Sequence, residues 1–248
     1  DLAIQMFQHT QELNVPFDYK TVREVRVDEN GVKTVRCEEE AFTCTAHAVL
    51  LCTGTDSRTL GVPGEGNYIG NGISFCAICD GPACRDKDVV VLGGGNSAVE
   101  EAIYLAGIAR SVTVAVRSYL KADPIACEKL RSLGNVTVLE GWDVSEFYGD
   151  TRLRGVRLKE KGTGGERSLD CAQVFEYIGQ IPATDCFQGL GVLNDAGYVE
   201  VDAMMQTKVP GIFGAGDCVV KKLRQVITAC ADGAIAAQSA AHYVQSLK

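Results

Sequence analysis

The sequence contains no apolar run approaching the roughly 20 residues that a membrane-spanning helix needs, which excludes a helical anchor within it. Its three histidines, His9, His47 and His242, are scattered along the chain. Only one C-x-x-C pair is present, at Cys76 and Cys79, so a structural zinc site has no second pair or nearby histidine to complete its ligands. Basic residues are in deficit, 24 against 32 acidic, for a net charge of −8. That balance argues against a broad nucleic-acid or anionic-membrane surface, and any phosphate must be held locally. The opening residues, Asp1-Leu2-Ala3-Ile4-Gln5-Met6, have neither the basic start nor the long apolar core of a signal peptide. The chain therefore reads as soluble and cytoplasmic. It begins on Asp rather than Met, so a processed or truncated product is expected.

What is present is more specific. The 248 residues, 46 % of them apolar, suffice for one large α/β domain or two smaller ones of ~100–200 residues each. The eleven cysteines are an odd number and cannot all pair. Most sit in apolar stretches such as Val49-Leu50-Leu51-Cys52, which implies a reducing compartment and selective use of one or two thiols.

Leu2, Met6, His9 and Leu13 fall near helical spacing between Asp1, in a capping position, and Asn14 at the stop. Residues 20–27 and 32–36 alternate polar and apolar around Asp28-Glu29-Asn30-Gly31, whose Asn-Gly pair suits a primed hairpin turn, and 42–46 extend the meander. Residues 48–52 suit a buried strand that runs into Thr53-Gly54. The stretch 61–72 holds five glycines and a proline and reads as a linker or hinge. Residues 88–117 then follow as strand, glycine turn, helix and strand, the order of a βαβ half-unit. Asp123-Pro124 caps a further helix. Strands near 136–139, 153–159 and 174–178 are expected to complete one sheet. A second crossing at 179–184 would pair with the first, making 66–181 an inserted domain and 1–65 with 182–248 its discontinuous partner. The last helix is expected to bury Val226, Cys230, Gly233, Ala237, Ala241 and Val244.

Three clusters carry chemistry. Gly93-Gly94-Gly95-Asn96-Ser97-Ala98 matches G-x-G-x-x-A after the strand Val89-Val90-Val91-Leu92 and opens a helix. Glycines there permit the tight turn and close backbone approach that place a pyrophosphate on the helix N-terminus, and Ala98 permits close helix–strand packing. The next strand ends Val116-Arg117-Ser118, with Lys121 near, where an NAD site usually carries an acidic residue. These cations favour a 2′-phosphate and hence NADPH; solvated charge on a strand end is the alternative. Cys76-Ala77-Ile78-Cys79-Asp80 can form a reversible dithiol in which Asp80 manages protons; inert buried cysteines are the alternative. Near the C-terminus, Gly214-Ala215-Gly216-Asp217 presents one carboxylate from a glycine turn. It suits either the hydroxyls of a sugar or ribitol or the cap of a helix.

Taken together and in this order, Thr53-Gly54, Cys76 to Gly81, Gly93 to Glu101, Ile178-Gly179 and Gly216-Asp217 with Leu223-Arg224-Gln225 resemble the low-molecular-weight, bacterial-type thioredoxin reductase family over nearly the whole chain. Related ferredoxin reductases lack the C-x-x-C pair, and hydroperoxide reductase flavoproteins carry extra N-terminal domains. The resemblance implies an α/β protein of two Rossmann-like three-layer domains, with an NADPH domain bearing the dithiol inserted in an FAD domain. Electrons would pass from NADPH through FAD to a Cys76–Cys79 disulfide and then to thioredoxin or a thioredoxin-like disulfide protein, in a cytoplasmic homodimer. It assigns Cys79 to the flavin, Cys76 to the substrate and Asp80 to proton donation. It also places Gly93, Gly95, Asn96, Ser97 and Ala98 on the pyrophosphate, Arg117 and Lys121 on the 2′-phosphate, and Thr53, Gly54, Gly216, Asp217, Arg224 and Gln225 at FAD. The family alternates dithiol and nicotinamide at one flavin by rotating its domains. Two departures stand out: Val116-Arg117-Ser118 replaces the family's His-Arg-Arg run, and a first FAD-binding unit of ~30 residues or more does not precede Asp1. A nucleotide-binding module without flavin turnover, or a related flavoprotein disulfide reductase with another thiol partner, are the alternative readings.

Overall fold

The computed structural model describes residues 2–38 and 42–247; Asp1, expected to cap the first helix, lies outside them. The chain divides into two compact units, one of residues 1–56 and 182–248 and the other of residues 57–181.

The first unit opens on α1 (Leu2–Glu12), which ends before Asn14 turns left-handed at φ 54°. β1 (Val22–Val27), β2 (Lys33–Cys37) and β3 (Thr43–Ala46) form an antiparallel meander. The β1–β2 turn differs from the expected primed pair. Gly31 has positive φ but Asn30 does not, and a primed turn of that type requires both. Asp28 shapes a longer loop instead, its Oδ1 accepting from the amides of Asn30 and Val32 at 2.9 and 2.8 Å. β4 (Val49–Leu51) follows, and β5 (Thr55–Ser57) carries the chain into the second unit.

That unit takes in the glycine-rich stretch expected to be a linker. α2 (Glu65–Tyr68) lies within it, and Glu65 and Tyr68 are buried. Gly64 has φ 85°, and a Cβ there would collide with the Phe147 carbonyl oxygen. Its glycine thus serves close packing, and the unit begins at Ser57 rather than at residue 66. After β6 (Ile73–Ser74), α3 (Ala77–Asp80) and a 3-10 turn at Gly81–Cys84 come β7 (Asp88–Leu92), α4 (Asn96–Ala106), β8 (Ser111–Val116), α5 (Pro124–Ser132) and β9 (Val136–Glu140). Asp123 caps α5 through Oδ1, which accepts from the Ile125 amide at 2.9 Å. β10 (Trp142–Gly149), β11 (Leu153–Glu160) and β12 (Glu166–Asp170) precede β13 (Gln173–Glu176).

The parallel sheet has the order β6-β13-β7-β8-β9. Alternate residues of β7 serve two cores: Val89 and Val91 pack with Val99, Ala102 and Leu105 of α4, while Val90 and Leu92 pack with Phe147, Val156 and Leu158. Both faces are covered, which explains the unbroken apolar run. The strand at 153–159 does not join this sheet as expected; it is the centre of a separate antiparallel sheet, β10-β11-β12, that forms the third layer. β12 escaped the sequence reading because it is an edge whose residues are mostly exposed and carry no apolar pattern.

The chain returns through β14 (Gln180–Pro182), which pairs with β5. β15 (Ile212–Gly214) runs parallel to β4, with Phe213 opposite Leu50, and α6 (Val226–Ser246) follows. α6 buries Ala236, Ser239 and Ala240, with Ala236 and Ala240 in the cluster of Phe213 and Ala215, and not the expected stripe. Val226, Cys230, Ala237 and Ala241 are exposed. In so alanine-rich a helix apolar residues lie on every side, so close fit to β15, rather than periodicity, selects the buried face.

Gly64→Ala is expected to destabilise the protein by about 1–3 kcal/mol, because it combines strained φ with a backbone collision. Denaturant unfolding measures this, and an unchanged midpoint would mean that 61–72 is the loose linker first expected.

Candidate active site

In the second unit Cys76 and Cys79 form a disulfide with Cα atoms 5.3 Å apart. Cys76 precedes α3, and its sulfur accepts the Cys79 amide at 3.2 Å. Ser74 Oγ accepts the Cys76 amide at 3.1 Å and donates to Asp80 Oδ2 at 2.6 Å. One hydroxyl therefore ties the candidate proton donor to the backbone of the dithiol. From the sheet side, Tyr177 Oη accepts the Ala77 amide at 2.7 Å. Burial raises the Tyr177 phenol, against the Ala77 bond that lowers it, and nearby Glu101 and Asp80 raise it further. Burial also raises the Glu101 carboxyl, and Glu101 Oε2 is buried without a partner. Cys84 is buried, and desolvation pushes its thiol up, which disfavours the reactive thiolate.

The glycine turn follows β7. The Gly93 amide donates to the Ala115 carbonyl at 3.1 Å with φ 133°, and a Cβ on Gly93 would strike the Tyr177 carbonyl oxygen. Gly95 is the N-cap of α4 and no side chain caps it, so the first-turn amides of Asn96, Ser97 and Ala98 have no intrahelical acceptor. Space beside Gly95 is open, with nothing within 4 Å of a Cβ placed there. Uncapped amides beside an open, side-chain-free cradle fit a dinucleotide pyrophosphate. Asn96 engages its side-chain oxygen with the Asp123 amide at 2.8 Å, leaving its own amide for a ligand. Ala98 is fully buried against the sheet. Arg117 and Lys121 are exposed beyond β8 and are in no ion pair among the described residues. The Lys121 amide donates to the Gly94 carbonyl at 2.6 Å, which sets this loop beside the glycine turn.

In the first unit the C-terminal ends of β4 and β15 lead into Thr53-Gly54 and Gly216-Asp217, where ligands of parallel sheets bind. The Ala215 amide donates to the Leu51 carbonyl at 3.0 Å. Asp217 Oδ1 is buried with no hydrogen-bond donor, an acceptor that a ligand hydroxyl would satisfy, and this fits the ribitol of FAD. Arg224 Nε donates to the Asp217 carbonyl at 3.3 Å, and its guanidinium lies 4.7 Å from the Tyr198 ring centre. Gln225 is the N-cap of α6 and donates its amide to Thr228 Oγ1 at 3.2 Å. Asp217 is not a helix cap; it lies in a 3-10 turn at Gly216–Cys218. Asp232 accepts the Gly216 amide at 3.1 Å and pairs with Lys221.

Ser74, Tyr177 and Asp232 were not singled out from sequence. Ser74 stands two residues before Cys76 and was within reach of a local reading. Tyr177 meets Ala77 across 100 residues, and no local pattern reports such a contact.

A nucleotide-cradling parallel sheet with a helix-start disulfide in the same unit defines a pyridine-nucleotide-dependent disulfide oxidoreductase. Comparison with known proteins agrees. The family described as pyridine nucleotide-disulphide oxidoreductase matches residues 3–233. The thioredoxin reductase of Bacillus subtilis is 40 % identical across all of this chain and 78 % of its own length. That of Listeria monocytogenes is 37 % identical across all of this chain and 77 % of its own. The crystal structure of thioredoxin reductase from Streptococcus pyogenes superposes with a TM-score of 0.90 at 37 % identity, over 99 % of this chain and 80 % of that one. The chain belongs to this oxidoreductase family, in its thioredoxin reductase branch. It is an FAD- and NADPH-dependent oxidoreductase with the two-domain Rossmann-like fold of that branch.

Two substitutions separate cradle from scaffold. Gly95→Ala is expected to leave thermal stability unchanged yet weaken NADPH binding at least about tenfold, because no protein atom fills that space and a pyrophosphate on the α4 amides would. Gly93→Ala is expected to lower stability and binding together. Fluorescence titration and thermal melts read both, and a Gly95→Ala protein that binds normally would place the pyrophosphate elsewhere.

Proposed function

We propose that this chain reduces the disulfide of thioredoxin with electrons from NADPH. The observation that carries this reading is the Cys76–Cys79 disulfide, seated in the same unit as the uncapped α4 turn. When bound, FAD supplies the relay between a two-electron hydride donor and a disulfide. Gly93, Gly95 and the amides of 96–98 hold the pyrophosphate, and Arg117 and Lys121 pair with the 2′-phosphate that distinguishes NADPH. Thr53, Gly54, Gly216, Asp217, Arg224 and Gln225 form the flavin site, in which Asp217 takes a ribityl hydroxyl and Arg224 fixes the Asp217 turn.

The dithiol chemistry follows from the hydrogen bonds around it. Two electrons and two protons convert the Cys76–Cys79 disulfide into two thiols. The Cys79 amide favours negative charge on Cys76 sulfur, which makes Cys76 the attacking thiolate. Its attack breaks the partner disulfide, forms a mixed disulfide and releases one partner thiolate. Cys79 then attacks Cys76, re-forms the internal disulfide and releases the second. Asp80, held by Ser74, is within the dithiol turn to give or take the proton at these sulfurs.

No helix among the described residues is long and apolar enough to cross a membrane. A cytoplasmic homodimer is the setting that likeness to the branch supports.

Cys76→Ser and Cys79→Ser should each lower NADPH-dependent reduction of thioredoxin at least about 10³-fold. Asp80→Asn should lower it about 10²-fold. Following NADPH oxidation with thioredoxin as acceptor tests this. Wild-type activity in Cys76→Ser would rule out the dithiol route, and wild-type protein active only on other disulfides would rule out the partner.

A further inference from the structure

β13 ends on a buried acid that the reaction described above does not use. Glu176 and Glu65 are each 3 % exposed. Glu65 has a donor for each oxygen: Oε1 accepts the Leu60 amide and Oε2 the Gly61 amide, both at 2.6 Å. Both of its oxygens are thus occupied as acceptors. Glu176 is different, because as a carboxylate it leaves both oxygens buried without a donor. As an acid it can donate its one proton to Glu65.

Strand alternation puts Glu176 on the same face of β13 as Val174, which packs, with Ile178 beyond the strand end, in the cluster of Leu92, Ala115, Phe147 and Trp142. The elements on that face bring three titratable groups: Glu65 and Tyr68 from α2, and Cys171 just before β13. Glu65 is the group whose charge acts on Glu176. The cation on the adjoining crossing, Arg58, lies against Gly179 and makes no ion pair with Glu176 among the described residues. Burial first, and Glu65 second, push the Glu176 carboxyl up to about 8.

The residue that follows is Tyr177. Its amide donates to the Leu92 carbonyl at 2.8 Å, its carbonyl abuts Gly93, and its hydroxyl accepts the Ala77 amide. We propose that protonated Glu176, sharing its proton with Glu65, is a positioning residue that holds Tyr177 and through it both the nucleotide turn and the dithiol helix. Loss of that proton sets two carboxylates together in an apolar layer and loosens the Tyr177 anchor. Its bearing on turnover rests on the proposed thioredoxin reductase activity; its bearing on structure does not.

A glutamate in the unfolded chain ionises near about 4.3, and Glu176 in the folded chain ionises near about 8. The stability conferred by the protonated pair is therefore complete below about pH 4.3. It falls by up to about tenfold in unfolding constant per pH unit toward about pH 8, and levels off above it.

Trp142, the one tryptophan of the chain, packs on the same face and reports the change. Its fluorescence in the full protein should titrate with a midpoint near about pH 8, and NADPH affinity should fall about tenfold across the same interval. Glu176→Gln keeps a donor toward Glu65 but cannot ionise, so it should retain the affinity seen at low pH and show no titration. Glu65→Gln should move the midpoint down by about one pH unit or more, because it removes the neighbouring charge. A titration that persists in Glu176→Gln, or a wild-type protein with none, overturns the proposal. Because fluorescence and binding are read without a disulfide substrate, a chain inactive on thioredoxin that still titrates contradicts the function and supports the pair.

Discussion

The hydrogen bond from the Ala77 amide to the Tyr177 hydroxyl, 2.7 Å long, ties the dithiol helix to the residue that also shapes the nucleotide turn. Tyr177 extends β13, which lies between β6 and β7, so it can reach both neighbours at once. Its carbonyl lies where a Gly93 side chain would be, and its hydroxyl meets the first residue of α3. The dithiol helix and the glycine cradle thus meet at one residue, Tyr177, while Ser74 of β6 holds the dithiol from its other side. Parallel pairing of β13 with β7, Glu176 opposite Leu92, holds that residue in register.

Around this anchor the site is built from small, local preferences. Cys76 begins a helix, so its sulfur meets an amide that favours negative charge. Ser74 fixes Asp80 with one hydroxyl that also receives the Cys76 amide. The glycine turn leaves amides without acceptors at the start of α4. In the other unit the logic is inverted, because there an acceptor, Asp217 Oδ1, is without a donor. Exposed cations and uncapped amides suit a phosphate in one unit, and an unpartnered carboxylate oxygen suits a hydroxyl in the other. Such complementarity is what a chain of net charge −8 needs if it is to hold anionic dinucleotides.

Local chemistry was legible wherever a short pattern determines it. The C-x-x-C pair, the turn at 93–98 and the Asp123-Pro124 cap each work through residues within a few positions of one another. The βαβ order was legible because continuous valine runs serve two buried faces. Less was legible where distant packing decides. The segment 61–72 looks like a hinge from composition, yet Gly64 is required by contact with Phe147 far along the chain. Alanine-rich α6 carries no periodic signal for its buried face. Strand β12 has no apolar pattern because it lies at an edge. The Glu65–Glu176 pair was invisible for the same reason: each is an ordinary charged residue until the fold buries both.

The central claim is that NADPH electrons reach one particular disulfide. Counting thiols in the flavin-loaded protein before and after anaerobic NADPH, with each labelled cysteine located by mass spectrometry, tests it most directly. The account predicts two additional thiols, at Cys76 and Cys79. No new thiol, or new thiols at other cysteines, would contradict it.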